Sequence, residues 1–298
     1  MSDITENKEY GLNRGNLKMI ALFCMTLDHF SVALLESWIS RLTQGELLYY
    51  AVVGADFLIR GVGRIAFPIY CFFIAEGLLH TKSVTKYALR LLLLAIISEV
   101  PYDMVLSHKY ITMNNQNVFW TLLAGLIAIY VMDSAFKKTS TRTAYIISTI
   151  AAISACLAAQ CFRTDYGSVG VMTIIVIYLI GQDKIRFAMI VNICAQLIKL
   201  FSSRNTIGLI VLNLVSIVLF SLVIITSAKI VNINSRKAYV ACATLATLNL
   251  YEMFAMVNVA ILGSYNGQKG KGYKWLFYLY YPVHLAAAAG LCMLVGLY

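Results

Sequence analysis

Charged side chains are scarce in this chain: Lys, Arg, Asp and Glu make up 13% of it, against about 25% in a soluble globular domain. So little charge cannot keep a folded surface in water, which excludes an ordinary soluble domain. Proline is rarer still, 3 in 298 residues, so helices can run long without interruption. There is no Gly-x-Ser-x-Gly, no phosphate-cradling Gly-x-x-x-x-Gly-Lys, no His-Glu-x-x-His and no Cys-x-x-Cys. Soluble-type hydrolase, ATPase and zinc-enzyme chemistry are therefore not encoded. The cysteines, 7 in all, are odd in number and sit in or beside apolar runs, so they read as small core residues and not as a disulfide framework or metal cluster. The polar first sixteen residues, MSDITENKEYGLNRGN, form a short tail without the early apolar core of a cleavable signal.

What fills the chain is apolar: 60% of residues are hydrophobic. Stretches long enough to cross a hydrocarbon core, roughly 17 to 25 residues, recur along 1–298, which reads as a single domain. The expected fold is all-α, a polytopic membrane helix bundle with about ten transmembrane helices. The expected spans are 17–35, 60–80, 88–107, 117–133, 144–161, 168–181, 185–200, 206–228, 238–262 and 275–296. Two of them, 168–181 and 185–200, are short enough for a tilted or re-entrant hairpin, and 47–59 either extends the second helix or lies along the interface. Pro68 is expected to kink the second helix.

Basic residues outnumber acidic ones, 24 to 14. They lie mainly at helix ends, which sets topology and implies no nucleic-acid partner. Alternate linkers favour both termini in the cytoplasm, although the Lys269–Lys274 cluster then falls on the poorer face. The lipid bilayer is the surrounding partner, and the reading also admits a homo-oligomer.

A charge at the bilayer centre costs about 2.5 to 3.5 kcal/mol on insertion scales, so intramembrane ionisable residues mark the chemistry. The first helix carries Lys18 and, eleven residues on, His29, which share a face about 16 Å apart. Lys18 is placed to meet an anion near the membrane edge, and His29, beside Asp28, to handle protons at depth. The second helix carries Arg64 and then Glu76 and His80, which lie four apart on one face. Glu99 and Asp103 flank Pro101 and read as helix-end polar residues; no metal site is expected. Asp165 and Tyr166 precede a helix, the turn at Asn266 and Lys269 offers an anion contact, and His284 follows an aromatic belt.

The pieces Leu17-Lys18-x-Ile20-Ala21 with Asp28-His29, Gly63-Arg64-x-Ala66-Phe67-Pro68, Ala75-Glu76-Gly77, Arg90-Leu91-Leu92, Asn117-Val118-Phe119, Asp165-Tyr166-Gly167, Tyr265-Asn266-Gly267 and Tyr281-Pro282-x-His284 resemble the TraX family. These are bacterial membrane proteins named for the acetylase of conjugative F-type pilin. That family is similar to transmembrane acyltransferases whose first helix carries an arginine and, eleven residues later, a catalytic histidine; here lysine replaces the arginine and gives up its bidentate fork. The resemblance implies acetyl transfer from cytoplasmic acetyl-CoA to an amine or hydroxyl of a pilin-like membrane peptide or an envelope glycan. On it, His29, Asp28 and Glu76 are catalytic, Lys18, Arg64, Arg90, Asn266 and Lys269 bind the donor, and Asp165, Tyr166, His80 and His284 meet the acceptor. A rival reading makes the buried Asp, His, Arg and Glu a proton relay of a transporter or flippase, and a third makes the chain a non-catalytic assembly partner.

Overall fold

The computed structural model describes residues 11–184, 187, 250–271 and 274–296. Among these, every regular element is a helix. Helix α1 (Arg14–Phe30) begins at Asn13, whose side chain accepts the Asn16 N–H at 2.9 Å. It continues through a π-helical segment, Ser31–Glu36, into the short α2 (Ser37–Ile39). There follow α3 (Leu47–Gly63), α4 (Ala66–His80), α5 (Val84–Ser107), α6 (Val118–Lys138), α7 (Thr141–Cys161) and α8 (Gly167–Gly181). After the region left undescribed come a 3-10 segment (Leu250–Val257), α9 (Asn258–Gly263) and α10 (Lys274–Leu294). Ser83, Asn117 and Ser140 cap α5, α6 and α7 with side-chain oxygens.

Five helices among the described residues are long and apolar enough to cross a membrane: Arg14–Ile39, Leu47–His80, Val118–Lys138, Thr141–Cys161 and Leu276–Leu294. The expected figure of about ten is not confirmed. Spans 206–228 and, except for Phe187, 185–200 lie outside the described residues, as does the first part, 238–249, of the span 238–262. The outward faces are apolar, with Leu89, Leu93, Ile96 and Ile97 exposed on α5 and Ile146, Ile150 and Ile153 on α7. This is the inverse of a soluble amphipathic helix and suits a lipid solvent. The short α8 is the centre of the bundle: every residue from Gly170 to Ile180 is buried, against α4, α6 and α7. Glycine permits the closeness, since a Cβ on Gly125 of α6 would lie 2.4 Å from Ile174 Cδ1.

The second span is longer than the expected 60–80, because 47–59 is helical and runs into it. The break is a turn at Arg64 and Ile65, not at Pro68. A proline removes the hydrogen bond to the carbonyl four residues earlier, so the ladder opens on its N-terminal side, at Arg64. The Asn258 side chain, fully buried, donates to the Ile65 carbonyl at 2.9 Å, re-satisfying backbone that lipid cannot solvate.

Helices α1 and α10 run side by side in the same direction. Gly15 faces the Lys271 carbonyl, Thr26 meets Tyr280, His29 meets His284, Cys292 donates to Ala33 O, and Arg41 to Gly296 O. The start of α1 and the end of α10 therefore lie at opposite ends of the bundle, which corrects the expectation that both termini share the cytoplasm. The same geometry brings the turn bearing Lys269 and Lys271 to the Arg14 end. That cluster thus adds its positive charge to the end of the bundle where α1 starts.

Candidate active site

Asp28 and His29 are consecutive, so on a helix they diverge by about 100° and meet different neighbours. Asp28 turns toward the α3–α4 break. Arg64 Nη2 lies 2.8 Å from both of its carboxylate oxygens, and Arg60 Nε lies 3.5 Å from Oδ1. Arg60 also pairs with Glu36. Gly63 makes this possible, since a Cβ there would stand 2.4 Å from Asp28 Cβ. Arg64 Nη1 donates to the Tyr166 hydroxyl at 2.9 Å, and the Tyr166 ring lies flat on Phe67 with centroids 3.6 Å apart. Tyr166 itself is left-handed, φ 62°, a conformation that costs a non-glycine residue of order 1–3 kcal/mol and is held here by those two contacts.

His29 turns the other way, to α10. Its Nδ1 is 2.7 Å from His284 Nε2, and His284 Nδ1 is 2.7 Å from the Tyr280 carbonyl. Both rings are buried, 8% and 5% exposed. A carbonyl only accepts, so His284 Nδ1 carries the proton. With both rings neutral, His284 Nε2 is then an acceptor, His29 Nδ1 is the donor to it, and His29 Nε2 is left as the ring's lone-pair nitrogen. That is the form a general base requires.

Asp28, His29, Tyr166, Asp165, Val118 and Tyr281 share a cavity of about 40 Å³, little more than the roughly 30 Å³ a water molecule occupies in the liquid. Only a small group enters it without moving a wall. Asp165 lies in the loop after α7, its N–H donating to Gln116 O at 2.7 Å and its carbonyl accepting from Thr121. Burial pushes its carboxyl up to about 6, against the opposing pull of the Arg64 guanidinium.

A second site lies at the other end of α1. Arg14, Lys18, Glu76, His80 and Arg90 line a cavity of about 230 Å³. Arg14 pairs with Glu76 at 3.1 Å, and Tyr265 donates to the other carboxylate oxygen at 2.9 Å. The Lys18 ammonium sits over Phe73 and Phe277, 5.6 and 4.9 Å from their centroids. The Nε atoms of Arg14 and Arg90 are buried without a hydrogen-bond partner among the described residues. Three strong cations against one carboxylate, with two donors unused, form a site for an anion.

The structure thus brings Lys18, Arg90, Glu76 and His80 together at one end, and His29, Asp28, Arg64, Asp165, Tyr166 and His284 near the other. It does not bring Glu76 to His29: Glu76 stands beside Arg14, fifteen residues or about 22 Å along α1 from the imidazole. Asn266 and Lys269 belong to the turn that straps the start of α1, where Asn266 N–H donates to Leu12 O and Arg14 N–H to Gln268 O. Glu99 accepts from Asn117 and Trp120, and Asp103 from the Thr112 N–H. Among the described residues no three His, Cys, Asp or Glu side chains gather as a metal site would need. Sequence reasoning passed over Arg14, Arg60 and Tyr281. The first two looked like membrane-edge charges, and Tyr281 was one of several belt aromatics.

A family model described as TraX protein matches residues 13–292. A curated protein of Dichelobacter nodosus, "Probable fimbrial assembly protein FimC, serogroup H1", is 30% identical over 125 residues, which cover 40% of this chain and 46% of that protein. The match therefore spans less than half the length of that relative. No solved structure matches the chain.

Proposed function

The chain belongs to the TraX family, and on that premise we propose that it is a membrane-embedded acetyltransferase of the bacterial plasma membrane. It moves the acetyl group of acetyl-CoA to an amine or hydroxyl of a pilin-like peptide or an envelope glycan. The observation that carries this is the His29–His284–Tyr280 carbonyl chain, which leaves a lone-pair nitrogen on a buried ring that lines a small polar cavity. With the basic end of α1 in the cytoplasm, the cationic pocket at Lys18 opens toward acetyl-CoA and receives its phosphates, about 16 Å from His29. Asp165 and Tyr166 then stand at the opposite face, where the acceptor arrives. Transfer across the membrane follows, with donor and acceptor reaching His29 from opposite sides. The fimbrial assembly role named for the Dichelobacter relative fits a surface-appendage acceptor.

The test uses the full chain in nanodiscs with labelled acetyl-CoA and a bacterial membrane extract. Label moves to a membrane component, or to water as acetate, in a His29-dependent way; no such movement and no CoA binding sinks the enzyme reading. Proton-coupled uptake abolished by Asp28→Asn, without CoA binding, would put the transporter in its place.

Two further outcomes are expected. Arg90→Gln removes one charge-assisted contact, worth about 1.5–3 kcal/mol, so KM for acetyl-CoA rises about 10- to 100-fold with kcat nearly unchanged; a fall in kcat alone would remove Arg90 from donor binding. If the Asp165 carboxylate holds the acceptor, kcat/KM climbs as pH rises through about 6, where Asp165 ionises. Asp165→Asn flattens that limb, and a limb that survives the substitution belongs to another group.

A further inference from the structure

The scheme above leaves two hydroxyls at the His29 cavity idle, those of Tyr70 and Tyr281, and of these Tyr281 is the one whose ring packs against the base. Its side chain is 3% exposed, its hydroxyl proton has no acceptor among the described residues while the Val118 backbone N–H bears on its oxygen, and it lines the cavity together with His29 and with Val118, the first residue of α6. The ring is fixed edge-on to His29, His284 and Phe119, with centroids 5.6, 5.4 and 4.8 Å apart. A buried donor left without an acceptor is costly, and it persists here at the cavity that holds the base. The 21-residue helix α6 adds the positive end of its dipole at Val118.

We infer that the Tyr281 hydroxyl, with the N-terminal turn of α6 behind it, receives the negative charge that develops on the acetyl oxygen during transfer. This rests on the acetyltransferase reading. The acceptor's lone pair attacks the thioester carbonyl carbon, forming a C–N or C–O bond. The carbonyl π pair moves onto oxygen, where the Tyr281 O–H donates to it, and the acceptor's proton passes to His29 Nε2. The oxygen pair then returns, the C–S bond breaks with its pair on sulfur, and the thiolate takes the proton from His29. Acetyl-CoA and acceptor–H become CoA–SH and acetyl-acceptor, and Tyr281 is a donor throughout with its own proton kept. A donor whose proton has no ground-state acceptor acts on the developing charge alone, which is what raises kcat.

The test is Tyr281→Phe in the nanodisc assay, following CoA thiol release from acetyl-CoA with the membrane extract, with a thermal melt of each variant alongside. The expected result is a fall in kcat of about 10²- to 10³-fold, the usual effect of one oxyanion donor, with KM for acetyl-CoA within about twofold. Melting temperature changes little, because the change removes a buried O–H without an acceptor while the Val118 N–H gives up its contact with the oxygen. A structural hydroxyl would instead lower the melting temperature and leave kcat in place. If wild type releases CoA in a His29-dependent way and Tyr281→Phe matches it, the donor role is overturned while the acetyltransferase stands. If wild type shows no His29-dependent release, both fall together.

Discussion

His29→Gln is expected to slow acetyl transfer by about 10²- to 10⁴-fold, the range general-base catalysis supplies, while KM for acetyl-CoA and the melting temperature change little. Glutamine suits the test because its amide N–H₂ still donates to His284 Nε2, so the buried acceptor keeps its partner, whereas alanine would strand it at a cost of about 1–3 kcal/mol. What glutamine lacks is a basic nitrogen. The companion change separates base from positioner: His284→Gln offers an amide oxygen to the His29 Nδ1–H and preserves the tautomer, and His284→Leu does not. Activity should therefore fall in the order wild type, His284→Gln, His284→Leu, with His29→Gln lowest. Nitrogen chemical shifts of labelled His29 read the tautomer without any assay, and should show the proton on Nδ1 in wild type and in His284→Gln. A wild-type rate in His29→Gln would remove the imidazole from the chemistry.

Much of this arrangement was legible in the sequence, because ionisable residues inside apolar spans are costly and few. Asp28, His29, Arg64 and Glu76 stood out on that ground alone. Their partners did not. Adjacency suggested that Asp28 serves His29, yet the helix turns them to different walls, one to Arg64 on the α3–α4 break and the other to His284, 255 positions away. Spacing along one helix gives the face a residue occupies but not the helix that meets that face. The break at Arg64 shows the same limit: Pro68 announced a disturbance, while the side chain that meets the opened turn, Asn258 on the Ile65 carbonyl, comes from 193 positions away. Topology failed for a comparable reason. Linker charges were counted on an assumed number of crossings, and the parallel course of α1 and α10 is a tertiary fact that no linker records.

Asp28→Asn is the largest stability effect expected outside the cavity chemistry. Arg64 and Asp28 expose only 13% and 15% of their side chains, and removing one partner of a buried pair costs about 3–5 kcal/mol because the remaining charge is stranded. The two sides of this pair are not equivalent. Asp28 is shared by Arg64 and Arg60, so asparagine leaves two guanidinium groups facing each other without their common anion. Arg64→Gln leaves Asp28 with Arg60 and still permits an amide contact, and Arg60→Gln leaves the 2.8 Å Arg64 pair whole. The loss should rank Asp28→Asn above Arg64→Gln above Arg60→Gln, and the Asp28→Asn, Arg64→Gln double variant should recover part of the single-variant deficit, read as melting temperature in one detergent. An Arg64→Gln loss as large as that of Asp28→Asn would mean that Arg60 carries none of the compensation. The same lesion reaches the candidate site, since an Arg64 released from Asp28 no longer aims Nη1 at Tyr166, and the left-handed Tyr166 then loses the hydrogen bond that Arg64 gives its hydroxyl. Asp28→Asn should therefore lower acceptor affinity as well as stability, whereas Arg60→Gln should affect neither strongly.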